Sequence, residues 1–288
     1  MFKDTAEAKA AAAEFLPEEL TETAIGYFSE EIGVEPGAPA EVPTGASKIG
    51  GLPDLPVGSE WPVHPGGLPY AFIAQINLRE LVEAVGDAPG LPSSGLLSFF
   101  WDPEDGYDAV PACSRVIYTE GTDLAPVAFP AELKPIHEQA TGREDVGSST
   151  VYTPPQPVSF YRGIAPPSDD LRVPEHDARL ADLEEDSNPL AENLDDFFQF
   201  IMDCGMFQVP DWKRYQILGA PCPIQPDPRI DANGGETEGQ LDWILLLQVP
   251  LAAWEVDGGA EGDLYFFAHK DDLAKRDFSR ARAVYQQT

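Results

Sequence analysis

A chain of 288 residues can bury a substantial core, and 43% hydrophobic with 10% aromatic residues excludes a generally disordered polymer. Fifty Asp and Glu against eighteen Lys and Arg leave a formal net charge of −32, which excludes nucleic acid and anionic membrane surfaces as natural partners. No apolar run approaches the roughly eighteen residues of a membrane-spanning helix. The charge itself has two readings: a solvated acidic surface that maintains solubility, or a face that mimics nucleic acid or engages a protein partner with a basic surface. Three cysteines, Cys113, Cys204 and Cys222, form no C-x-x-C pair, and the N-terminus lacks a basic segment followed by an apolar core. Both features point to a soluble protein of the reducing cytoplasm.

In chain order, residues 4–15 are rich in Ala, Glu and Lys without Gly or Pro, which predicts a helix. Pro17 followed by Glu18 and Glu19 predicts a second short helix start. Thr23 to Phe28 reads as a strand, before a Pro/Gly/Ala loop at 35–46. Ala71 to Ile76 is a short, nearly continuous apolar run, as in a strand covered on both faces. Asn77 is placed to cap a helix over Leu78 to Val85, with Glu80 completing a box-like pattern. Further strands are expected at 95–101 and at Ser114 to Tyr118. The stretch 119–191 is irregular, acidic and proline-rich, with short strands at 150–153 and 157–161. Leu194 to Met202 repeats apolar residues at helical spacing, with Gly205 as the stop.

The last eighty or so residues repeat earlier words. Leu245 to Leu251 echoes Phe72 to Leu78, and Gly262 to Phe267 echoes Gly95 to Phe100. Gly219-Ala220-Pro221 echoes Gly51-Leu52-Pro53, and Ser279-Arg280 echoes Ser114-Arg115. Gly51 to Gly95 is 44 residues and Gly219 to Gly262 is 43, although the gaps to Gln75 and Gln248 differ, 24 against 29. An insertion at 226–240 accounts for that difference. Ordered anchors with nearly equal spans argue for an internal duplication packed about a pseudo-twofold axis.

Ser47 to Pro56, then Trp61-Pro62 and Leu68-Pro69 leading into Ala74-Gln75-Ile76-Asn77-Leu78, resembles the YwqG-like family of unknown function. So do Leu218-Gly219-Ala220-Pro221, Leu245 to Gln248, Gly262 to Phe267 and Asp271 to Arg280, over residues of about 24 to 285. Two positions depart from the family pattern. Tyr215 stands where many members carry histidine, and Pro250 and Ala252 stand where acids are usual. The resemblance implies a fold but no activity.

The Gly50-Gly51-Leu52-Pro53 word lacks the lysine and helix start of a phosphate loop. It reads as a rigid turn with Trp61 packed over it, or as the rim of a ligand site carrying an exposed Trp61. Gln75 and Gln248 sit at matching places inside apolar strands, where each ties its strand to a neighbouring turn. Alternatively, both amides face a central cleft as a symmetric polar site. The four histidines have no metal-ligand spacing, and no G-x-S-x-G elbow occurs. Cys113 and Cys222 read as buried thiols, or as nucleophiles if a base lies near in space. The acidic loops at 102–108 and 231–236 do not keep a calcium-loop register and read as solvated turns. No catalytic residue, metal ligand or cofactor is nominated.

The expected fold is therefore α+β: an internally duplicated, mainly antiparallel β motif with N-terminal and mid-chain helices, in a single domain over 1–288. The repeats span about 47–118 and 215–285. The leading functional reading is a non-catalytic, acidic protein-binding module. The alternative is a small-molecule binder or enzyme with a cleft between the repeats, near Gly50, Gly51, Pro53, Trp61, Gln75, Gly219, Pro221 and Gln248.

Overall fold

A computed structural model describes residues 1–102, 111–135, 152–167, 173–183, 185, 187–206, 214–251 and 262–287. Helix α1 (Thr5–Ala12) starts where the Asp4 carboxylate accepts from the backbone N–H of Glu7 at 2.8 Å. A 3-10 turn at Glu18–Leu20 follows, as Pro17 predicts. The expected strand at 23–28 is instead helix α2 (Thr21–Ile25), whose Thr21, Ala24 and Ile25 are buried at helical spacing. Ala24 and Ile25 join a core cluster with Phe2, Phe197 and Phe200. Burying that stripe outweighs the strand preference of a short run.

The strands are β1 (Ser29–Pro36), β2 (Lys48–Ile49), β3 (Asp54–Pro56), β4 (Ala71–Asn77), β5 (Leu96–Trp101) and β6 (Ser114–Thr119). They continue with β7 (Leu124–Pro126), β8 (Gln156–Ala165), β9 (Gln216–Ile217), β10 (Trp243–Pro250), β11 (Asp263–His269) and β12 (Arg282–Gln286). Ten of them form one sheet in the order β12-β11-β10-β9-β1-β8-β2-β4-β5-β6, and β3 pairs with β7 separately. Neighbouring strands are antiparallel throughout. The order reads outward in chain sequence on both sides of a central β1–β8 pair. The ladder slips at Phe72/Ala74 in β4 and at Leu245/Leu247 in β10, in each case just before the glutamine.

The sheet curls until its edge strands meet. Ser114 Oγ on β6 accepts from Ala283 N–H on β12 at 2.9 Å, and the Phe99 and Phe266 rings lie 5.1 Å apart across the interior. A single large core runs through both halves, from Leu97 and Phe99 to Leu264 and Phe266. Covering both faces of β4 and β5 explains why they read as continuous apolar runs.

The helices complete the layers: α3 (Leu78–Val85), α4 (Pro174–Leu180), α5 (Leu194–Met206), α6 (Pro228–Ala232) and α7 (Lys270–Leu273). Asn77 caps α3 as expected, accepting from Arg79 N–H at 3.0 Å. Glu80 does not close a capping box. Its Oε2 accepts from Ser47 N–H at 2.8 Å, and the Asn77 N–H is given to Ser47 Oγ at 2.8 Å. Helix α5 continues through Gly205 to Met206. The strand expected at 157–161 is part of the ten-residue β8, whereas 152–155 is irregular and 150–151 lies outside the described residues. Helix α4 breaks the stretch expected to be irregular. Of the two acidic loops, 103–108 lies outside the described residues. Asp231 belongs to α6, which is followed by a turn in which the Asn233 amide donates to Glu236 O and Glu238 O.

Consecutive left-handed residues mark both proline turns. Gly50 and Gly51 have φ of 67° and 74°, and Leu218 and Gly219 have 59° and 73°. The first pair confirms the reading of a turn that needs glycine. In the second, Leu218 holds a conformation that costs a leucine of order 1 kcal/mol or more.

Candidate functional site

Gln75 and Gln248 are both fully buried, and their amides are engaged in structural hydrogen bonds. Gln75 Oε1 accepts from Asp54 N–H at 2.9 Å, while its Nε2 donates to Ala46 O and Asp54 Oδ2, each at 2.7 Å. Gln248 Oε1 accepts from Cys222 N–H at 3.0 Å, and its Nε2 donates to Cys222 O at 3.0 Å and Asp263 Oδ2 at 2.8 Å. Each acid also meets a cation: Lys48 Nζ lies 2.9 Å from Asp54, and Arg214 Nη2 lies 2.7 Å from Asp263. These are the strand-to-turn ties expected from the sequence.

Trp61 is not an exposed rim residue. It is 9% exposed, packs edge-on to Phe100 and Phe129, and donates Nε1–H to Tyr70 O at 2.7 Å. The turn at Gly50, Gly51 and Pro53 is closed over by neighbouring chain. A Cβ on Gly50 would stand 2.1 Å from Thr153 Oγ1, one on Gly51 would stand 2.7 Å from Pro155 Cβ, and Pro53 O accepts from Val127 N–H. Six of the eight candidates therefore sit in packed structure away from any described cavity. Gly219 and Pro221 do not.

Gly219 borders a crevice of about 450 Å³, a size suited to a small molecule. Its walls come from β1 (Glu30, Glu31, Ile32), β8 (Arg162), α4 (Glu175, Arg179), the turn Ile217–Ala220, Arg229, Leu241, Trp243 and Ile244, and Asp87 and Pro89 after α3. The crevice thus lies between the two halves of the sheet, but at the second proline turn. Pro221 lines a smaller cavity of about 20 Å³, shared with Glu31, His176, Arg214, Gln216 and Cys222. That volume suits about one water. Glu31 borders both spaces.

The central pair β1–β8, with β9 on the other flank of β1, carries Glu31 into the interior, where it is 8% exposed. The turn opposite is fixed by Gln216, whose Nε2 donates to Leu218 O at 2.8 Å and Ala220 O at 2.7 Å. A Cβ at Gly219 would fall 1.5 Å from Glu31 Oε2, so only glycine lets this turn approach the carboxyl. Ser29 Oγ donates to Glu31 Oε1 at 2.8 Å. Burial pushes the Glu31 carboxyl up to about 7, against the pull of the Ser29 hydroxyl, Arg179 and the Ala220 amide.

Helix α4 supplies the facing groups. Pro174 occupies its first turn with Glu175 and Asp177, the acids suited to a helix start. Arg229 is fully engaged, reaching Glu175 Oε1 at 2.6 Å and Oε2 at 2.8 Å, and Asp227 Oδ2 at 2.7 Å. Burial is the largest single influence on Glu175 and raises it, but the hydrogen bonds and charge of Arg229, with smaller contributions, together hold the carboxylate below its usual range. Arg162 is likewise satisfied by Val85 O, Asp87 O and Glu30. Arg179 differs. Its Nε reaches only Glu175 O at 3.3 Å, and its buried Nη1 has no hydrogen-bond partner among the described residues. Burial lowers its pKa, with Glu31 and Glu175 opposing. His176 is buried and neutral, pushed down to about 3 by burial and then by Arg179.

The arrangement can exchange a proton at Glu31 and offer a hydrogen-bond donor at Arg179 to a molecule in the crevice. Among the described residues no group of three or more His, Cys, Asp or Glu side chains could hold a metal ion, and no helix is long and apolar enough to cross a membrane. Sequence reasoning did not single out Glu31, Glu175, His176 or Arg179. The Pro-Glu start of α4 was the available signal, whereas Glu31 is one acid among fifty.

The family model described as a domain of unknown function (DUF1963) matches residues 47–286, a stretch that includes α4 and the Leu218–Ala220 turn and that Glu31 precedes. No curated protein matches the chain.

Proposed function

Since the chain belongs to this family of unknown function, which brings no activity with it, we propose from the site alone that the protein binds a small polar molecule in the crevice at Glu31 and Arg179. One observation carries the reading. A buried carboxyl that titrates near neutrality and a guanidinium with an unengaged buried donor border the same small-molecule-sized space. This keeps the idea of a site between the two halves and moves it from Trp61, Gln75 and Gln248 to the Gly219 turn. A fragment library screened by saturation-transfer NMR tests it. Hits that weaken in folded Glu31→Gln and Arg179→Gln variants support the site; no hits, or hits indifferent to both variants, overturn it.

A second reading has the net charge of −32 behind it: an acidic face that docks a partner with a basic surface. It predicts a complex that dissociates as salt is raised and that charge-reversing surface substitutions abolish. Recovery of no stable partner at moderate salt counts against it.

We also infer that the two halves descend from one motif and form a single domain of the YwqG-like kind. Support comes from the outward strand order on both sides of β1–β8, the paired ladder slips, the paired glutamines and the matching left-handed turns. Three cysteines outside any disulfide accord with a cytoplasmic setting.

A further inference from the structure

The crevice is lined by both ionic and apolar side chains, and its ions are unequally engaged. Arg229 is held by two carboxylates, and Arg162 by a carboxylate and two carbonyls. Among the described residues Arg179 has no carboxylate within ion-pairing distance, and its buried Nη1 has no hydrogen-bond acceptor. Arg179 lines the crevice, and among the described residues no carboxylate pairs with its charge, which leaves that charge able to hold an anion there. Beside it, Glu31 already accepts from Ser29 and from the Ala220 amide.

The apolar wall is made by Ile32, Ile217, Trp243 and Ile244, with Leu241, 49% exposed, at the rim. An exposed leucine beside a concave apolar surface suits a hydrocarbon body that lies along it.

We propose that the crevice takes a small monocarboxylate with an apolar body, its carboxylate shared between the Arg179 guanidinium and a protonated Glu31. This names the ligand class of the site proposed above and rests on that reading. One guanidinium without a carboxylate in ion-pairing distance among the described residues balances a single negative charge. A dianion such as a phosphate monoester would add a second charge among Glu30, Asp87 and Glu175, in a molecule already at −32. An amine would leave Arg179 unsatisfied and add a like charge beside it. Two carboxyl groups at hydrogen-bond distance hold one proton between them, so binding requires the proton on Glu31 and draws it from solvent at higher pH.

The groups facing Glu31 are the Ser29 hydroxyl on its own strand, Arg179, Glu175 and His176 from α4, and Arg214, Gln216 and Cys222 across the small cavity. His176 stays neutral throughout the working range, and Arg179 stays charged. The proton that matters is therefore on Glu31. Affinity for a carboxylate falls about ten-fold per pH unit once the pH exceeds 7.

The test uses the full chain and matched probes: straight-chain acids from butyrate to octanoate and phenylacetate to phenylbutyrate, each with its amide and its amine. Binding is read by calorimetry and by ligand-observed NMR at pH 6.5 and 8.5. The expected result is that acids bind at least ten-fold more tightly than their amides and that amines do not bind. Acid affinity should fall between the two pH values. Arg179→Gln removes the preference for acids, Arg179→Lys keeps part of it, and Glu31→Gln keeps acid binding but loses its pH dependence. Circular dichroism confirms that each variant is folded. Equal or better binding of amides or amines overturns the carboxylate assignment and leaves the crevice as a binding site. Failure of every probe at millimolar concentration, together with an empty fragment screen, removes both.

Discussion

Between pH 4.5 and about 7 the folded protein keeps a proton on Glu31 that the unfolded chain releases. The folded state then binds more protons, so this group makes stability fall as pH rises through that window and level off above it. The loss amounts to about 3 kcal/mol for a displacement of this size. His176 works the other way. It stays neutral in the fold down to about 3, whereas the unfolded imidazole takes a proton below 6.5, so stability is lost as pH falls from 6.5 toward 3. Where the windows overlap, the two slopes oppose one another. Glu31→Gln should therefore gain stability relative to the wild type on going from pH 4.5 to pH 8, by about 2–3 kcal/mol in urea melts. His176→Gln should lose less than the wild type on acidification from pH 6.5. Parallel profiles for wild type and Glu31→Gln would mean that Glu31 ionises as an ordinary surface acid. Gly219→Ala supplies a second residue-scale test. Gly58 also has a positive φ, 87°, but a Cβ there meets nothing within 4 Å. Gly58→Ala should cost only the backbone term, about 1 kcal/mol. Gly219→Ala should cost more, because it must also drive the Glu31 carboxyl from its place, and melts of the two variants measured together isolate that clash.

At the scale of elements, the sheet is pinned by two buried clusters, Lys48–Asp54–Gln75 and Arg214–Asp263–Gln248. Lys48 and Asp54 are both almost wholly buried, so removing one charge strands the other. Lys48→Met should destabilise by about 3–5 kcal/mol, and Asp54→Asn added to it should restore much of that, as measured by a double-mutant cycle. Additive losses would show that Lys48 acts through its aliphatic stem alone. The glutamines of these clusters were legible in the sequence because an amide inside an apolar strand must find partners. The strands β4 and β5 were legible for a related reason, since burial on both faces leaves a continuous apolar run. Helix α2 was misread because Thr, Ile, Tyr and Phe favour strands locally, and only the docking partners Phe197 and Phe200, some 175 residues away in the chain, settle the matter. The site was less legible still. It is built where β1, β8, α4 and the second proline turn converge, and no local pattern records that β1 and β8 pair across more than 120 residues. The first proline turn has the same backbone as the second, yet Thr153 and Pro155 fill the space over it, so the sequence echo could not say which turn stays open.

For the whole molecule, eighteen cations can neutralise at most eighteen of fifty acids, and several cations are committed to buried pairs at Asp54, Asp227 and Asp263. The remaining carboxylates repel one another across the surface, a cost that is larger in the folded, close-packed chain than in the unfolded one. Salt shortens the reach of that repulsion from about 30 Å at 0.01 M to about 3 Å at 1 M, while buried pairs are screened much less. Raising NaCl over that range should therefore raise the melting temperature, by several degrees, with the steepest change below about 0.1 M where the screening length falls through molecular dimensions. Scanning calorimetry at fixed pH 7.5 checks this, with sucrose as the control that strengthens burial without screening charge. A melting temperature that is flat in NaCl but rises with sucrose would place the acids far enough apart to be indifferent to one another. Their number would then require an explanation outside stability, and docking to a basic partner would gain weight over a merely solvated surface.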